Sequence, residues 1–589
     1  MKKVMSIVLT ALLSTSVLSA CGNKNENVNI NGGNNAGTEN SKDNGTSEST
    51  GKSVFRMTGG KTATLNNQMY QSGSEGTVMK NIYGSMLRYV ANEAGDSYEV
   101  VPYHAKDFPT SNETGDVWVF ELKDGITFSD GEPIDAEAYA YSYKMLLDPV
   151  LKNYRASMLF RDVDVKNARN YYEGNCTWEE VGIKVLEGNK LELTLERPVT
   201  KFDFEALFAE SGGTSPINPK LYESCFNADR TENSYGTSLE TTTSSGPYVL
   251  TEWVRDQSKV YAKNENAALA ELYTVDEIQE RVVEDESTKL TLFENGDIDY
   301  VEVTGANYDK YAEDPRLKFA RTPGVQTMFI NMESETNPIL GDLNFRNALF
   351  WGLNRDVVAE EIIKVGLPAA YFIPDFRYVE PGVTYRDTEG AQALVPENNG
   401  YDADKALEYF NKAYEANGNK KVIVEMKYND QLETMKKMCE YMETEYEALF
   451  GADKIDIQLK AVPKQSVTED MKSGAYDVSF AGWSGWYFHP WAGMEVHTSD
   501  YSGKLDRLRN AEFDELFNRT VKGDLIFEQE KKLEALVRME EILYEEMPFV
   551  PLYQNRKAAL FSDRVELHTS DYFPIIEFAP LQAKIAPLE

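Results

Sequence analysis

The most constraining stretch of this chain is residues 421–480, where three strand-like patterns alternate with two helical ones. Lys421 to Tyr428 (KVIVEMKY) is rich in β-branched residues and predicts a strand. Leu432, Met435, Cys439, Met442, Tyr446 and Leu449 follow near helical spacing and predict an amphipathic helix. Ile455, Ile457 and Leu459 alternate with polar residues as a second strand. A short helix around Val467 to Lys472 ends at Ser473-Gly474, and Tyr476 to Phe480 forms a third strand. This order implies α/β architecture with a parallel sheet and right-handed crossovers. Ligands of such sheets sit beyond the carboxyl ends of the strands, so the stretch after Phe480 is where a site is expected.

Upstream, Val117 to Leu122 predicts a strand, and Gly125 to Gly131 a turn-rich connection. Asp135 is placed to cap a helix whose Tyr139, Tyr143, Leu146 and Leu147 share one face. Asn347 to Lys364 and Phe527 to Glu546 also predict amphipathic helices. No internal repeat is evident, and no segment beyond the first twenty residues nears eighteen consecutive apolar residues.

Those first twenty residues have the pattern of a secretory leader. Lys2 and Lys3 precede the uncharged apolar run Met5 to Leu18, which is too short to span a bilayer. Leu18-Ser19-Ala20-Cys21 resembles the lipobox of bacterial lipoproteins, which implies cleavage before Cys21 and a diacylglycerol on its thiol. Gly22 to Ser53, rich in Asn, Gly, Ser and Thr, cannot bury enough surface to offset its ordering entropy and is expected to be a tether. That address is extracytoplasmic, on the outer face of the cell membrane, with a tether length suited to a Gram-positive wall. The remaining ~535 residues exceed one core and call for two or three domains. The net charge of −36 becomes −38 when the two leader lysines are removed. So acidic a surface argues against nucleic acid and against electrostatic docking on anionic lipid. With Cys21 lipidated, Cys176, Cys225 and Cys439 remain. The odd count leaves at least one free thiol, with Cys176 and Cys225 the favoured pair if any forms.

Phe120-Glu121-Leu122-Lys123-Asp124-Gly125-Ile126-Thr127-Phe128-Ser129-Asp130-Gly131-Glu132-Pro133 resembles the signature of the extracellular solute-binding family that serves peptide and nickel ABC importers, family 5. Further segments resemble the family in its order. They are Ser245-Gly246-Pro247-Tyr248, Phe293 to Asp299, Phe345 to Leu349 with Asn354-Arg355, Tyr401 to Ala406, and Gly474 to Val478 with Gly482-Trp483. The resemblance implies a two-lobed periplasmic-binding-protein-like fold (class II-like, cluster C) with an extra small domain and a hinge. Carried over, 1–20 is the leader and 21–52 the lipidated cysteine and linker. Lobe I takes 53–82, 197–322 and 547–589, the small domain 83–196, and lobe II 323–546. A crossing strand is expected near Gln326 to Asn331. The implied function is capture of a short peptide between the lobes and delivery to a permease and ATPase complex, by a monomer needing no cofactor.

In the family, ligand contacts centre on the segment written here Ala481-Gly482-Trp483-Ser484-Gly485-Trp486-Tyr487-Phe488-His489-Pro490-Trp491. The resemblance implies that backbone groups there pair with an extended peptide, which is indifferent to side chains. Trp486 stands where peptide binders usually carry an aspartate for the ligand's amino terminus, and His489 where an acid is common. Either another carboxylate takes the amine, or the ligand has none. The cluster Trp483, Trp486, Tyr487, Phe488 and Trp491 offers rings that stack on a sugar, an aromatic side chain or a cation, against the plainer reading that such rings fill core. An oligosaccharide or other non-peptide solute is therefore the alternative ligand, and a surface signalling or chaperone receptor a third reading. Enzymatic chemistry is disfavoured: the chain has no Gly-x-Ser-x-Gly elbow and no His-Glu-x-x-His. Its four histidines are His104, His489, His497 and His568. A metal shared by His489 and His497 is weaker than the reading of polar histidines in the cleft.

Overall fold

The computed structural model describes residues 51–209, 212–374, 378–380, 382–483, 490–501, 503–569 and 577–588. The leader, Cys21 and the tether lie outside them. The body begins with β1 (Val54–Gly59) and the hairpin β2 (Leu87–Ala91)/β3 (Tyr98–Pro102). Next comes a sheet of β4 (Thr110–Ser111), β5 (Val117–Glu121), β6 (Ile183–Leu186) and β7 (Lys190–Thr194), ordered β4-β5-β7-β6. β8 (Tyr248–Val254), β9 (Ser258–Lys263) and β10 (Glu277–Val282) join β1 in the order β1-β10-β9-β8. After β11 (Tyr300–Glu302), β12 (Leu317–Ile330) and β13 (Leu367–Pro368), a short pair forms from β14 (Tyr378–Glu380) and β15 (Val383–Thr384). Then come β16 (Val422–Asn429), β17 (Ile455–Val462), β18 (Val478–Trp483) and β19 (Phe549–Phe561), followed by a short antiparallel pair of β20 (Val565–Glu566) and β21 (Lys584–Ile585). The largest sheet runs β11-β19-β12-β18-β16-β17, with β13 on β19.

Three hydrophobic cores account for most of the packing. The first gathers Phe55, Val78, Met79, Tyr248, Tyr261 and Ile278. The second is aromatic, with Trp118 stacked on Phe204 at 4.3 Å and Phe204 against Phe208 at 4.9 Å. In this core Asp135 caps the helix Ala136–Leu146 by accepting from the Ala138 N–H at 2.8 Å, and Tyr139, Tyr143 and Leu146 are buried. Gly125 and Gly131 have φ of +76° and +88°, which only glycine adopts cheaply and which fold the chain back ahead of that helix. His104 ties the first two cores together. Its Nδ1 accepts from Tyr139 Oη at 2.8 Å and its Nε2–H donates to the Ser245 carbonyl at 2.9 Å. Burial pushes its pKa down to about 3, which keeps the ring neutral.

The third core is the βαβαβ stretch with its flanking helices. β16 is parallel to both β17 and β18, as the alternation predicts. The sheet is mixed, however, because β18 runs antiparallel to β12. β12 comes from a distant part of the chain, so local periodicity carries no sign of its direction. In the helix Glu433–Phe450, Met438 and Phe450 are buried, whereas Leu432 sits at the cap and is exposed. The helix expected over Asn347 to Lys364 is broken into Leu343–Trp351 and a π-helical segment Val357–Ile363. The break turns Arg355 inward, where its guanidinium donates to the carbonyls of Pro551, Phe350 and Asn399 at 2.7, 3.1 and 3.0 Å. Phe527 precedes the helix Gln529–Glu546 and is exposed. Cys176, Cys225 and Cys439 are all free thiols, so the favoured Cys176–Cys225 pairing does not form. Cys225 is buried in a small cluster with Tyr222 and Tyr235 that fills its surroundings without a bridge.

β12 and β19 link the cores. They pair in two stretches, Leu317–Arg321 with Arg556–Leu560 and Val325–Phe329 with Phe549–Gln554, separated by a register shift. Ala320 and Ala559 of the first stretch form a cluster with Phe561 and Phe578 outside the third core, and Met328, Phe329, Phe549 and Val550 of the second belong to it. The transition thus falls at 321–325, just before the expected Gln326 to Asn331, of which Met328, Phe329 and Ile330 lie in the third core.

Candidate ligand-binding site

β18 is held at its start by a polar clasp. Asn331 Nδ2 donates to the carbonyls of Gly474 and Tyr476, each at 3.0 Å, and the Asp477 carboxylate accepts from the Glu425 N–H and Asn337 Nδ2, each at 3.1 Å. Gly474, with φ of +80°, ends the preceding helix Lys464–Ser473 so that the chain can turn into the strand. From there β18 pairs with β12 along Val478–Trp483, but with β16 only at Val478 and Ser479. Past Ser479 the strand has a ladder on one edge alone among the described residues. Ala481, Gly482 and Trp483 therefore carry a free backbone edge, the geometry onto which an extended chain can add as a further strand. Gly482 is exposed, and a Cβ there would approach Gln326 Oε1 to 3.2 Å, so the lack of a side chain lets that amide lie close.

The structure brings together Ala481, Gly482 and the Trp483 backbone at this edge. Ser484, Gly485, Trp486, Tyr487, Phe488 and His489 lie outside the described residues. Trp491 does not join a ligand-facing aromatic cluster. It is 1% exposed in the third core, donates its Nε1–H to the Lys532 carbonyl at 2.7 Å, and carries the Lys532 ammonium 4.3 Å from its ring centroid. His497 is likewise not a cleft residue. Its Nδ1 meets Asp506 Oδ2 at 2.7 Å, its ring stacks on Phe549 at 5.0 Å, and Lys504 Nζ lies 3.0 Å from Asp506. Burial pushes the Asp506 carboxyl up, but His497 and Lys504 more than offset it and hold it below the usual range. Among the described residues no group of three His, Cys, Asp or Glu could hold a metal.

A second concave surface was not legible in the sequence. A cavity of about 360 Å3 opens over β1, β10 and β11, lined in part by Met57, Gly60, Ser74, Tyr300, Glu302 and Lys557. Its backbone wall depends on Gly59, where a Cβ would fall 1.9 Å from Glu280 Oε1. Glu280 is buried against Lys259 and accepts from Tyr261 Oη at 3.0 Å, while Lys259 Nζ donates to the Gly60 carbonyl at 3.2 Å. Lys557 comes from β19 and pairs with Glu302 at 3.1 Å, so this wall is continuous with a strand that runs into the third core. The only sequence signal for it was the pair Gly59-Gly60 closing a strand.

The family model of bacterial extracellular solute-binding proteins, family 5 Middle, matches residues 99–504. The chain is 23% identical over 566 residues to the oligopeptide-binding protein OppA of Bacillus subtilis (strain 168), covering 94% of each. It is 24% identical to the periplasmic murein peptide-binding protein MppA of Escherichia coli (strain K12), covering 81% of this chain and 83% of the relative. The solved structure of Listeria monocytogenes OppA bound to peptide matches with a TM-score of 0.66 at 20% identity, over 92% of this chain and all of the other. That likeness establishes the two-lobed fold.

Proposed function

The chain belongs to family 5 of the bacterial extracellular solute-binding proteins, and we propose that it captures short peptides in an inter-lobe cleft and delivers them to an ABC permease and ATPase complex. As a member of that family it is a solute-binding protein and not an enzyme. The observation that carries the reading is the free edge of β18 at Ala481–Trp483, whose ladder with β16 stops at Ser479. Main-chain pairing along such an edge binds extended peptides with little regard for their side chains. Relatives that bind oligopeptides and murein peptides support the same class of ligand. The site comprises Ala481, Gly482, Trp483, Ser484, Gly485, Trp486, Tyr487 and His489, between a lobe I of 53–82, 197–322 and 547–589 that carries the small domain 83–196 and a lobe II of 323–546. The protein acts as a monomer, anchored through a lipid on Cys21 to the outer face of a cell membrane.

The test is mass spectrometry of what co-purifies with a soluble form beginning near Ser53, released by denaturation. A ladder of mixed short peptides is expected. A single glycan or other non-peptide mass would overturn the peptide reading and assign Trp486, which stands in place of the family's usual acid, to a different class of solute.

A further inference from the structure

We infer that Gln326 is a specificity-determining residue, which selects a hydrogen-bonding side chain at the ligand position that pairs with Gly482. Gln326 and Gly482 are direct partners across β12 and β18, so their side-chain positions share one face of the sheet. On that face the next two rows are Met328 with Phe480 and Ile330 with Val478, all buried in the third core. Of these three rows only that of Gln326 and Gly482 reaches solvent, for Gln326 is half-buried and Gly482 exposed. Gly482 leaves a notch, and the Gln326 carboxamide lies over it, with Oε1 3.2 Å from where a Cβ on Gly482 would stand. Among the described residues that carboxamide makes no hydrogen bond. Its neighbour on the other side, Tyr553 of β19, is buried.

An extended ligand added to the free edge of β18 lies ~4.8 Å from that strand and ~9.6 Å from β12. In an ordinary row the middle strand's side chain fills that interval and keeps its two neighbours apart. Glycine leaves the interval open. The Gln326 amide enters it from one side and a ligand side chain from the other, and they meet above Gly482. The ligand's backbone is committed to strand pairing, so the amide reads its side chain. The NH2 group donates and the carbonyl accepts, so Ser, Thr, Asn, Gln, Asp and Glu all find a partner there. An apolar side chain strips the amide of water and returns no hydrogen bond. Main-chain pairing is indifferent to ligand sequence, and Gln326 supplies one position at which this chain discriminates.

The inference rests on peptide capture at this edge, and its test separates the two. The full-length protein, stripped of co-purifying ligand, is incubated with a positional-scanning library of synthetic pentapeptides, and retained peptides are quantified by mass spectrometry. At one ligand position the wild type should prefer Thr over isosteric Val, and Asn over Leu, by about tenfold, the discrimination of one desolvated hydrogen bond. Q326L should abolish that preference and leave the other four positions as they were. At neutral pH Q326E should instead favour Lys and Arg at the same position and reject Asp and Glu, an exchange that a merely structural role for Gln326 would not produce. Near-UV circular dichroism confirms that each variant is folded, and if Q326L is not, Q326E decides alone. A wild type that retains peptides with no such position, or a preference that persists in the variants, would overturn the inference and leave peptide capture standing. A wild type that retains no peptide would refute the capture reading and the inference with it.

Discussion

Glu540 is the most heavily used carboxylate in the third core, and its removal gives a sharp quantitative test. It is fully buried. Oε1 accepts from the backbone N–H groups of Phe372 and Ile373, each at 3.0 Å, and from the Arg386 guanidinium, while Oε2 accepts from Tyr385 Oη at 2.8 Å. Arg386 is itself buried, and its other donors reach the carbonyls of Ile373 and Ala391 at 2.6 and 3.0 Å. Glu540→Ala leaves a guanidinium uncompensated and two amides unpaired, which costs about 3–5 kcal/mol. Glu540→Gln keeps the shape but removes the charge and turns one acceptor oxygen into an NH2 donor, and should cost about 2–3 kcal/mol. A chain with several cores need not unfold in one step, so the assay is native-state hydrogen exchange. The amides of Phe372 and Ile373 should exchange about two to three orders of magnitude faster in Glu540→Ala. The pair Arg386→Met with Glu540→Leu should cost less than Glu540→Ala alone, because no charge is left unpaired. Wild-type exchange at residues 372 and 373 in Glu540→Ala, or strict additivity in the pair, would refute the reasoning.

His104 makes stability depend on acid. Its folded pKa of about 3 lies below the unfolded value of about 6.5, so unfolding takes up a proton between those limits. Its contribution is complete above pH ~6.5 and declines as pH falls toward 3, by up to about 1.4 kcal/mol per pH unit. Thermal melts of His104→Gln should show a shallower loss between pH 6.5 and 4 than the wild type; equal slopes would remove His104 from the account. Trp486→Ala should weaken binding of the co-purified ligand about tenfold by calorimetry, with unchanged melting, as expected for an aromatic anchor. Unaltered affinity would take Trp486 out of the site. Cys21→Ala should move the protein from the membrane fraction into the medium, and retention in the membrane would refute the lipid anchor.

The sequence by itself determined the elements whose cause is local. Alternation of β-branched residues marked β16 and β17, and helical spacing marked 433–450, because burial on one face requires those periods. Asp135 and Gly474 marked a helix start and a helix end through capping chemistry that involves only near neighbours. The segment after Phe480 could be singled out because three consecutive patterns implied a sheet with a usable carboxyl end. Tertiary structure alone decided the rest. That β18 lies antiparallel to β12, and outruns β16 to leave Ala481–Trp483 with a free edge, depends on a strand some 150 residues away. Trp491 and His497 looked like ligand-facing groups because residue type and nearness in sequence cannot tell a pocket wall from a core. Lys532 and Asp506, distant or unremarked in the pattern, fixed both as buried. The Asp203–Lys532 pair joins residues 329 positions apart. Periodicity records which face of an element is apolar, whereas the element that covers that face is chosen by packing across the whole chain.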